Sequence, residues 1–193
     1  MAKSGYQMLL TITNNNSSKE LEYVDLFEAY PVDGIILVGT VLTRAHKKKL
    51  KECKVPIVVI GQYTKETSCV YHDDYGAAKA LAEQVGREAS GRVAYIGVTR
   101  EDKAAGAARE DGFREGLKEV GKELEESCLR RAKFTMESGY EQAVDLLEKE
   151  HDIDIISCAT DTIAAGAIEA IAQYSPERKI QVTGFGDNQF LKA

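Results

Sequence analysis

Short, almost entirely apolar runs alternate along the chain with stretches whose apolar residues return every three or four positions. The run at residues 93–97 is typical of a strand that is buried on both faces of a sheet. The stretch 109–120 places Phe113 and Leu117 on one face of a helix. The same two patterns predict strands at 5–13, 34–38, 57–60, 129–134, 153–158 and 180–184, an extended piece at 68–71, and helices at 19–29, 43–51, 76–88, 139–150 and 162–173.

A strand is followed by a helix almost throughout this order. Such repetition predicts an α/β fold with parallel sheets flanked by helices. Ser90-Gly91 follows one predicted helix and precedes the strand at 93–97, so we expect the boundary between two lobes there. The expected lobes are residues 1–90 and 91–193.

Residues that can accept hydrogen bonds from the free N–H groups of a helix precede several of the predicted helices. The pairs Ser17 with Glu20 and Ser138 with Glu141 have the spacing of a capping box. Single caps are predicted at Thr43, at Asp73 or Asp74, and at Asp161.

The charge balance and the cysteine pattern exclude several classes of protein. With 25 basic and 31 acidic residues the net charge is −6, which argues against a chain that grips nucleic acid by itself. No apolar run is long enough to span a membrane, and no secretory segment opens the chain. The four cysteines and three histidines are scattered without metal-ligand spacing, so we expect no metal and no cofactor. We also expect no enzyme, because no phosphate-binding loop and no nucleophile with a convincing base occurs.

Arg109 is the first candidate for a binding role. It falls in the first turn of the predicted helix 109–120, where the positive end of the helix dipole disfavours a cation. A hydroxyl-rich or anionic ligand would justify it there, whereas the alternative is a solvated surface arginine. The same dipole argument predicts that Arg109 contributes little to stability.

Several motifs along the chain resemble the effector domain of the lactose-repressor (LacI) family of bacterial transcription regulators. The RxxGF sequence at 109–113 is the first of them. The others are VDGIIL at 32–37, PIVVIG at 56–61, HDDYGAA at 72–78, SGYEQA at 138–143, ATDTIAAGAI at 159–168 and VTGFGDN at 182–188. Within the family, the last two runs look most like the repressors of sucrose and related disaccharide operons.

The resemblance implies a two-lobed fold like that of periplasmic binding proteins, with a small effector, here a sugar, held between the lobes. It implies a cytoplasmic homodimer that contacts operator DNA through a helix-turn-helix headpiece not contained in this chain. The helices at 19–29 and 43–51 are the expected dimer surface. The family pattern also has a strand and a helix before Gly5 and further strands after Ala193, so we expect an incomplete and less stable first lobe.

The resemblance also implies a set of effector-binding residues, each with a structural alternative. Asp74 and Asp161 can be helix caps, Phe134 can be a core residue, and Asp187 can be a turn former. The full set is Arg109, Phe134, Asp74, Thr160, Asp161 and Asp187.

Two positions depart from the family pattern. Thr160 offers one hydroxyl where the family has the amide of an asparagine, so this contact is lost or carried by water. Gly186 stands where relatives have the first of two aspartates, which puts in doubt whether Asp187 reaches the ligand.

An alternative function is an extracytoplasmic sugar-binding protein of an ABC transporter, which has the same fold. The four unpaired cysteines and the lack of a secretory segment favour the regulator.

Overall fold

A computed structural model describes residues 5–187. They fall into two compact units, divided between Tyr71 and His72. The first unit contains α1 (Ser17–Ala29), β1 (Ile35–Val38), α2 (Arg44–Glu52), β2 (Ile57–Ile60) and β3 (Ser68–Val70). The second contains α3 (Asp74–Glu88), β4 (Arg92–Gly97), α4 (Arg109–Glu119), β5 (Leu129–Arg131), α5 (Met136–Lys149), β6 (Ile153–Cys158), α6 (Asp161–Tyr174) and β7 (Gln181–Thr183).

The first unit has a parallel sheet in the order β1-β2-β3. Alternate residues of β1 and β2 point to one side, where they pack with Val24 of α1 and Leu50 of α2. Six apolar residues are buried in this core among the described residues: Val24, Ile35, Leu37, Leu50, Ile57 and Val59. Thr43 caps α2 by accepting a hydrogen bond from the backbone N–H of His46, as predicted.

The strand predicted at residues 5–13 is not formed in the structure. Its apolar side chains are exposed, with 59% of Tyr6 and 75% of Leu10 accessible to solvent. The alternating pattern is there, but a strand also needs a neighbour that satisfies its N–H and C=O groups, and none pairs with this segment.

The capping box predicted for α1 is wrong. Asn16 is the N-cap, and its side-chain oxygen accepts hydrogen bonds from the backbone N–H groups of Ser18 and Lys19 at 3.0 and 3.1 Å. Glu20 is buried instead, with Oε2 3.1 Å from Nε2 of His46. The side chain of Glu20 therefore contacts a residue of α2 and does not cap α1.

The second unit has a parallel sheet in the order β5-β4-β6-β7. Helix α3 packs along α4, and α5 packs along α6. Each pair lies so close that a side chain would not fit at the crossing: a Cβ at Gly112 would overlap the carbonyl oxygen of Tyr75, and a Cβ at Gly166 would overlap that of Met136. The core of this unit is larger than that of the first.

The division between the units falls before α3, whereas the sequence places the lobe boundary at Ser90-Gly91. The reason is the packing of α3. Its buried residues, including Ala78 and Ala82, share one core with Phe113 and Leu117 of α4. A helix that buries its apolar face in this way belongs to the compact unit that it helps to form.

The capping box predicted at Ser138 and Glu141 is also wrong. Thr135 is the N-cap of α5 and accepts a hydrogen bond from the backbone N–H of Ser138 at 3.2 Å. The hydroxyl of Ser138 instead accepts a hydrogen bond from the backbone N–H of Lys133 at 2.9 Å.

None of the helices within residues 5–187 combines the length and the apolar character that a membrane span requires.

Candidate functional site

The candidate residues of the second unit gather at the carboxyl edge of its sheet. Strands β4, β6 and β7 run in parallel, so the chain leaves all three at the same edge. Ligands of open α/β sheets bind where such loops leave the strands.

Arg109, the first residue of α4, is held from three directions. Its Nε donates to Oδ1 of Asp74 at 2.7 Å, and its Nη1 donates to the carbonyl oxygen of Ala159 at 2.5 Å. Its Cζ lies 4.7 Å from the centroid of the Phe185 ring, within the range of a cation–π contact. Arg109 is therefore not a solvated surface arginine, since only 18% of its side chain is exposed.

The contact with Asp74 argues against the expectation that Arg109 contributes little to stability. The dipole argument considered α4 alone, but the carboxylate of Asp74 comes from the start of α3 and is only 7% exposed. Removing one partner of a mostly buried ion pair leaves the other charge unpaired, which costs more than relief from the unfavourable end of one helix dipole returns.

A π-helix, Lys103–Ala108, leads directly into α4 and sets the position of Arg109. The backbone N–H of Arg109 donates to the carbonyl oxygens of Ala104 and Gly106. The buried carboxylate of Asp102 fixes the start of this wide turn, because its Oδ1 accepts from the backbone N–H groups of Ala104 and Ala105 at 3.0 and 2.9 Å. The sequence predicts only a polar loop here, since an Ala/Gly run has no pattern that distinguishes a π-helix.

Asp74 does not cap α3. Asp73 is the N-cap of α3 and accepts a hydrogen bond from the backbone N–H of Gly76 at 2.8 Å, which confirms that one of the two aspartates caps this helix. Asp74 is thereby left to pair with Arg109. Its carboxylate and the guanidinium neutralise one another at the edge of the sheet.

Thr160, and not Asp161, caps α6. The hydroxyl of Thr160 caps α6 by accepting a hydrogen bond from the backbone N–H of Ile163 at 3.3 Å, so the cap predicted at Asp161 is wrong. The backbone N–H of Asp161 donates to the carbonyl oxygen of Phe185 at 3.0 Å. Its carboxylate lies where side chains at Gly184 or Gly186 would be, so the missing family aspartate at 186 makes room for Asp161.

Phe134 and Asp187 are the two remaining candidates. Phe134 is half-buried and packs against the core of the second unit, and the ring recorded over the guanidinium is that of Phe185. Asp187 is exposed. Sequence reasoning missed Phe185, although its place directly after the strand at 180–184 was a signal, because that loop leaves the sheet at the same edge as Ala159.

A second cluster of charges surrounds Glu110, the neighbour of Arg109. Its carboxylate is 3% exposed and accepts hydrogen bonds from the guanidinium of Arg131. Burial alone would raise the pKa of Glu110, but Arg131, together with the charges of Arg100 and Arg114, holds it below the ordinary value. The cluster ties α4 to β5 beside the candidate site.

One polar atom in the core beneath this edge is unsatisfied. Tyr95 of β4 is fully buried and stacks on Phe113, with 4.8 Å between the ring centroids. Its hydroxyl has no hydrogen-bond partner among the described residues. Burial raises the pKa of the Tyr95 hydroxyl far above its ordinary value, so it stays protonated.

Within residues 5–187 no group of three or more histidine, cysteine or acidic side chains could hold a metal ion.

Known proteins share this sequence pattern and this architecture. A sequence model of periplasmic binding proteins and the sugar binding domain of the LacI family matches residues 1–185. The sucrose operon repressor of Staphylococcus xylosus is 30% identical over 186 residues, which are 94% of this chain and 56% of that repressor. The chain thus spans about half the length of the curated relatives it matches.

Solved structures agree with the fold. The transcription regulator CcpA of Lactococcus lactis superposes with a TM-score of 0.81 at 25% identity, over 95% of this chain and 68% of that one. A solute-binding protein of an ABC transporter from Burkholderia multivorans also reaches 0.81, at 17% identity over 92% of this chain and 66% of that one, which shows the fold alone. These likenesses confirm the predicted periplasmic-binding-protein-like α/β fold.

Proposed function

Because the chain belongs to the family of periplasmic binding proteins and LacI-family sugar-binding domains, we propose that it is the effector-binding part of a sugar-responsive transcriptional repressor. The ligand is a small carbohydrate that binds at the carboxyl edge of β4, β6 and β7. The observation that carries this proposal is the guanidinium of Arg109, fixed between Asp74, the Ala159 carbonyl and the Phe185 ring.

The chemistry of this edge suits a carbohydrate. A sugar offers neighbouring hydroxyls, which need planar donors and carboxylate acceptors, and apolar ring faces, which pack on aromatic rings. The hydrogen bonds of Arg109 to Asp74 and Ala159 use Nε and Nη1, which orients its Nη2 edge without using it. In this proposal Asp161 and Asp187 supply acceptors and Thr160 a hydroxyl, while Phe134 and Phe185 supply apolar surface.

Regulation is preferred over transport because the curated relatives at 27–30% identity are named as a repressor and a control protein. In this proposal the chain acts in the cytoplasm as a homodimer through α1 and α2, and operator DNA is contacted by a helix-turn-helix segment of the longer protein. A ligand then changes DNA affinity by no more than the difference between its affinities for the two states. A secretion signal in the coding sequence, instead of a helix-turn-helix segment, would favour the transport alternative.

The proposal is tested by calorimetry with a panel of disaccharides, monosaccharides, sugar phosphates and nucleobases. The informative variant is Arg109→Lys, which keeps the charge facing Asp74 but removes the planar fork. We expect a sugar to bind, and its affinity to fall at least about tenfold in the variant, which corresponds to about 1.4 kcal/mol. Arg87→Lys, on the exposed side of α3, is the matched control and should leave the affinity unchanged. Binding of nucleobases alone, or equal affinity in both variants, would refute the sugar site at Arg109.

A further inference from the structure

Helix α2 carries a row of basic side chains on its outer side, which we call the basic face. It consists of Arg44, Lys47, Lys48 and Lys51, whose spacing by three and four residues places them on one side of the helix. All four are exposed, whereas the opposite side of α2 is buried against α1 and the core of the first unit. Which residues form this face is decided within α2 and does not depend on the segments that flank the chain.

The charges of the basic face are not neutralised by the first unit. The ion pairs of α2 within the described residues belong to His46 and to Lys49, whose ammonium group contacts Asp25 and Glu28 of α1. The four cations of the basic face have no such partner there. Residues 44–54 hold six basic residues and one acidic residue, so a segment of net charge +5 stands in a chain of net charge −6. The charge of the whole chain therefore hides a local positive surface.

This arrangement is unfavourable for α2 itself. Like charges three and four residues apart repel each other on a helix. The first turn contains no acidic residue, and Arg44 there meets the positive end of the helix dipole. Lys51, in the last turn, is favoured by the dipole, but the repulsion between the four cations remains. An anion bound from outside would relieve that repulsion.

The composition around the basic face indicates which anion fits. Residues 41–56 contain no aromatic residue and no methionine, which protein interfaces favour, while lysine is depleted in such interfaces. They contain no asparagine or glutamine to read base edges and no ring on which single-stranded bases could stack. Lysine ammonium groups are compact point charges that contact phosphates without a fixed fork geometry. The face therefore suits phosphates of a duplex better than an acidic protein.

We propose that the basic face binds the phosphate backbone of double-stranded DNA without reading its sequence. From Arg44 to Lys51 the helix rises by about 10 Å, along which a duplex presents roughly six phosphate charges. The negative charge of the rest of the chain keeps this contact weak. It acts when a DNA-binding segment of the longer protein already holds the DNA, because nearby phosphates are then at high effective concentration. This goes beyond the proposed function, in which the helix-turn-helix segment alone contacts DNA.

The test is fluorescence anisotropy of a labelled duplex of mixed sequence, titrated with the 193-residue chain at several low salt concentrations. We expect weak binding, with the logarithm of the affinity falling linearly with the logarithm of the salt concentration. The informative variant is Lys47→Gln/Lys48→Gln, because glutamine and lysine have similar helix propensities. Its affinity should be at least about fivefold lower and its salt dependence less steep by about 0.9 for each cation removed.

Lys65→Gln/Lys118→Gln is the matched control, since it removes the same charge from exposed lysines outside α2. It should bind DNA like the original chain, and circular dichroism checks that both variants fold. Absence of binding at the lowest salt concentration, or an equal loss of affinity in both variants, overturns the proposal. Polyglutamate that displaces the duplex at equal charge concentration also overturns it and would identify the face as a site for acidic proteins. Sugar affinity, measured on the same variants, should stay unchanged, so failure here is distinct from failure of the sugar site.

Discussion

Removing Arg109 should destabilise the second unit and not only weaken ligand binding. In Arg109→Ala the carboxylate of Asp74, which is 7% exposed, loses the N–H donor at 2.7 Å and has little access to water in its place. Breaking a mostly buried ion pair from one side costs about 3 kcal/mol, near the lower end of the usual range because 18% of the Arg109 side chain is exposed. Asp74→Ala should cost less, since the more exposed guanidinium that it leaves behind can be hydrated.

The measurement is a double-mutant cycle by urea unfolding, followed by far-UV circular dichroism and by hydrogen exchange of the β4 amides, which report on the second unit. We expect the double variant to lose less free energy of unfolding than the sum of the single variants, with a coupling of at least about 1 kcal/mol. Lys79→Ala is the control, because Lys79 and Glu119 bridge the same two helices at 2.9 Å but in solvent, where screening leaves little to lose. If Arg109→Ala costs no more than Lys79→Ala, the ion pair does not hold α3 against α4 and the reasoning fails.

Three further outcomes follow from contacts described above. Tyr95→Phe should leave the free energy of unfolding unchanged or raise it, since it removes a buried hydroxyl without a partner; a clear loss in urea unfolding would show that the hydroxyl is satisfied after all. The pKa of Glu110 is lowered in the folded state, so the stability that it contributes is present above the ordinary carboxyl pKa and is lost as pH falls through the folded value. Glu110→Gln should therefore reduce the loss of unfolding free energy at acid pH. An unchanged dependence of stability on acid pH would contradict this. Amides of β1 and β2 should exchange with deuterium faster than amides of β4 and β6. Among the described residues, six buried apolar side chains form the core of the first unit and 27 form that of the second. Equal protection of the two pairs of strands would contradict this expectation.

The sequence predicted the fold well wherever a local signal sufficed. The apolar runs locate the strands of both sheets, and Thr43 and Asp73 cap their helices because a cap depends on neighbours two or three residues away. The failures are long-range. Residues 5–13 have the pattern of a strand without a partner to pair with, and Glu20 pairs with His46 of another helix instead of capping its own.

The candidate site was predicted in part for the same reason. The resemblance to a family pointed to Arg109 and Asp74, which the structure brings together, and the role of Phe134 as the ring that stacks on a sugar stays a prediction. Phe185 lies over Arg109 because β7 is the neighbour of β6 in the sheet, and strand order is not written in the local pattern. The π-helix before Arg109 could not be predicted, because alanine and glycine fit an α-helical turn and a π-helical turn equally well.

The wide turn at Lys103–Ala108 has an evolutionary consequence. A turn that closes on the fifth residue differs from an α-helical turn by a single amino acid, so the segment carries one codon more than a continuous helix would need. Deletion of one codon within 104–108 would tighten the turn and lead into α4 with Arg109 still at its start. The backbone N–H of Arg109 would then lose the carbonyl oxygens of Ala104 and Gly106, so we expect genes that keep this arginine to keep the length of the segment before it.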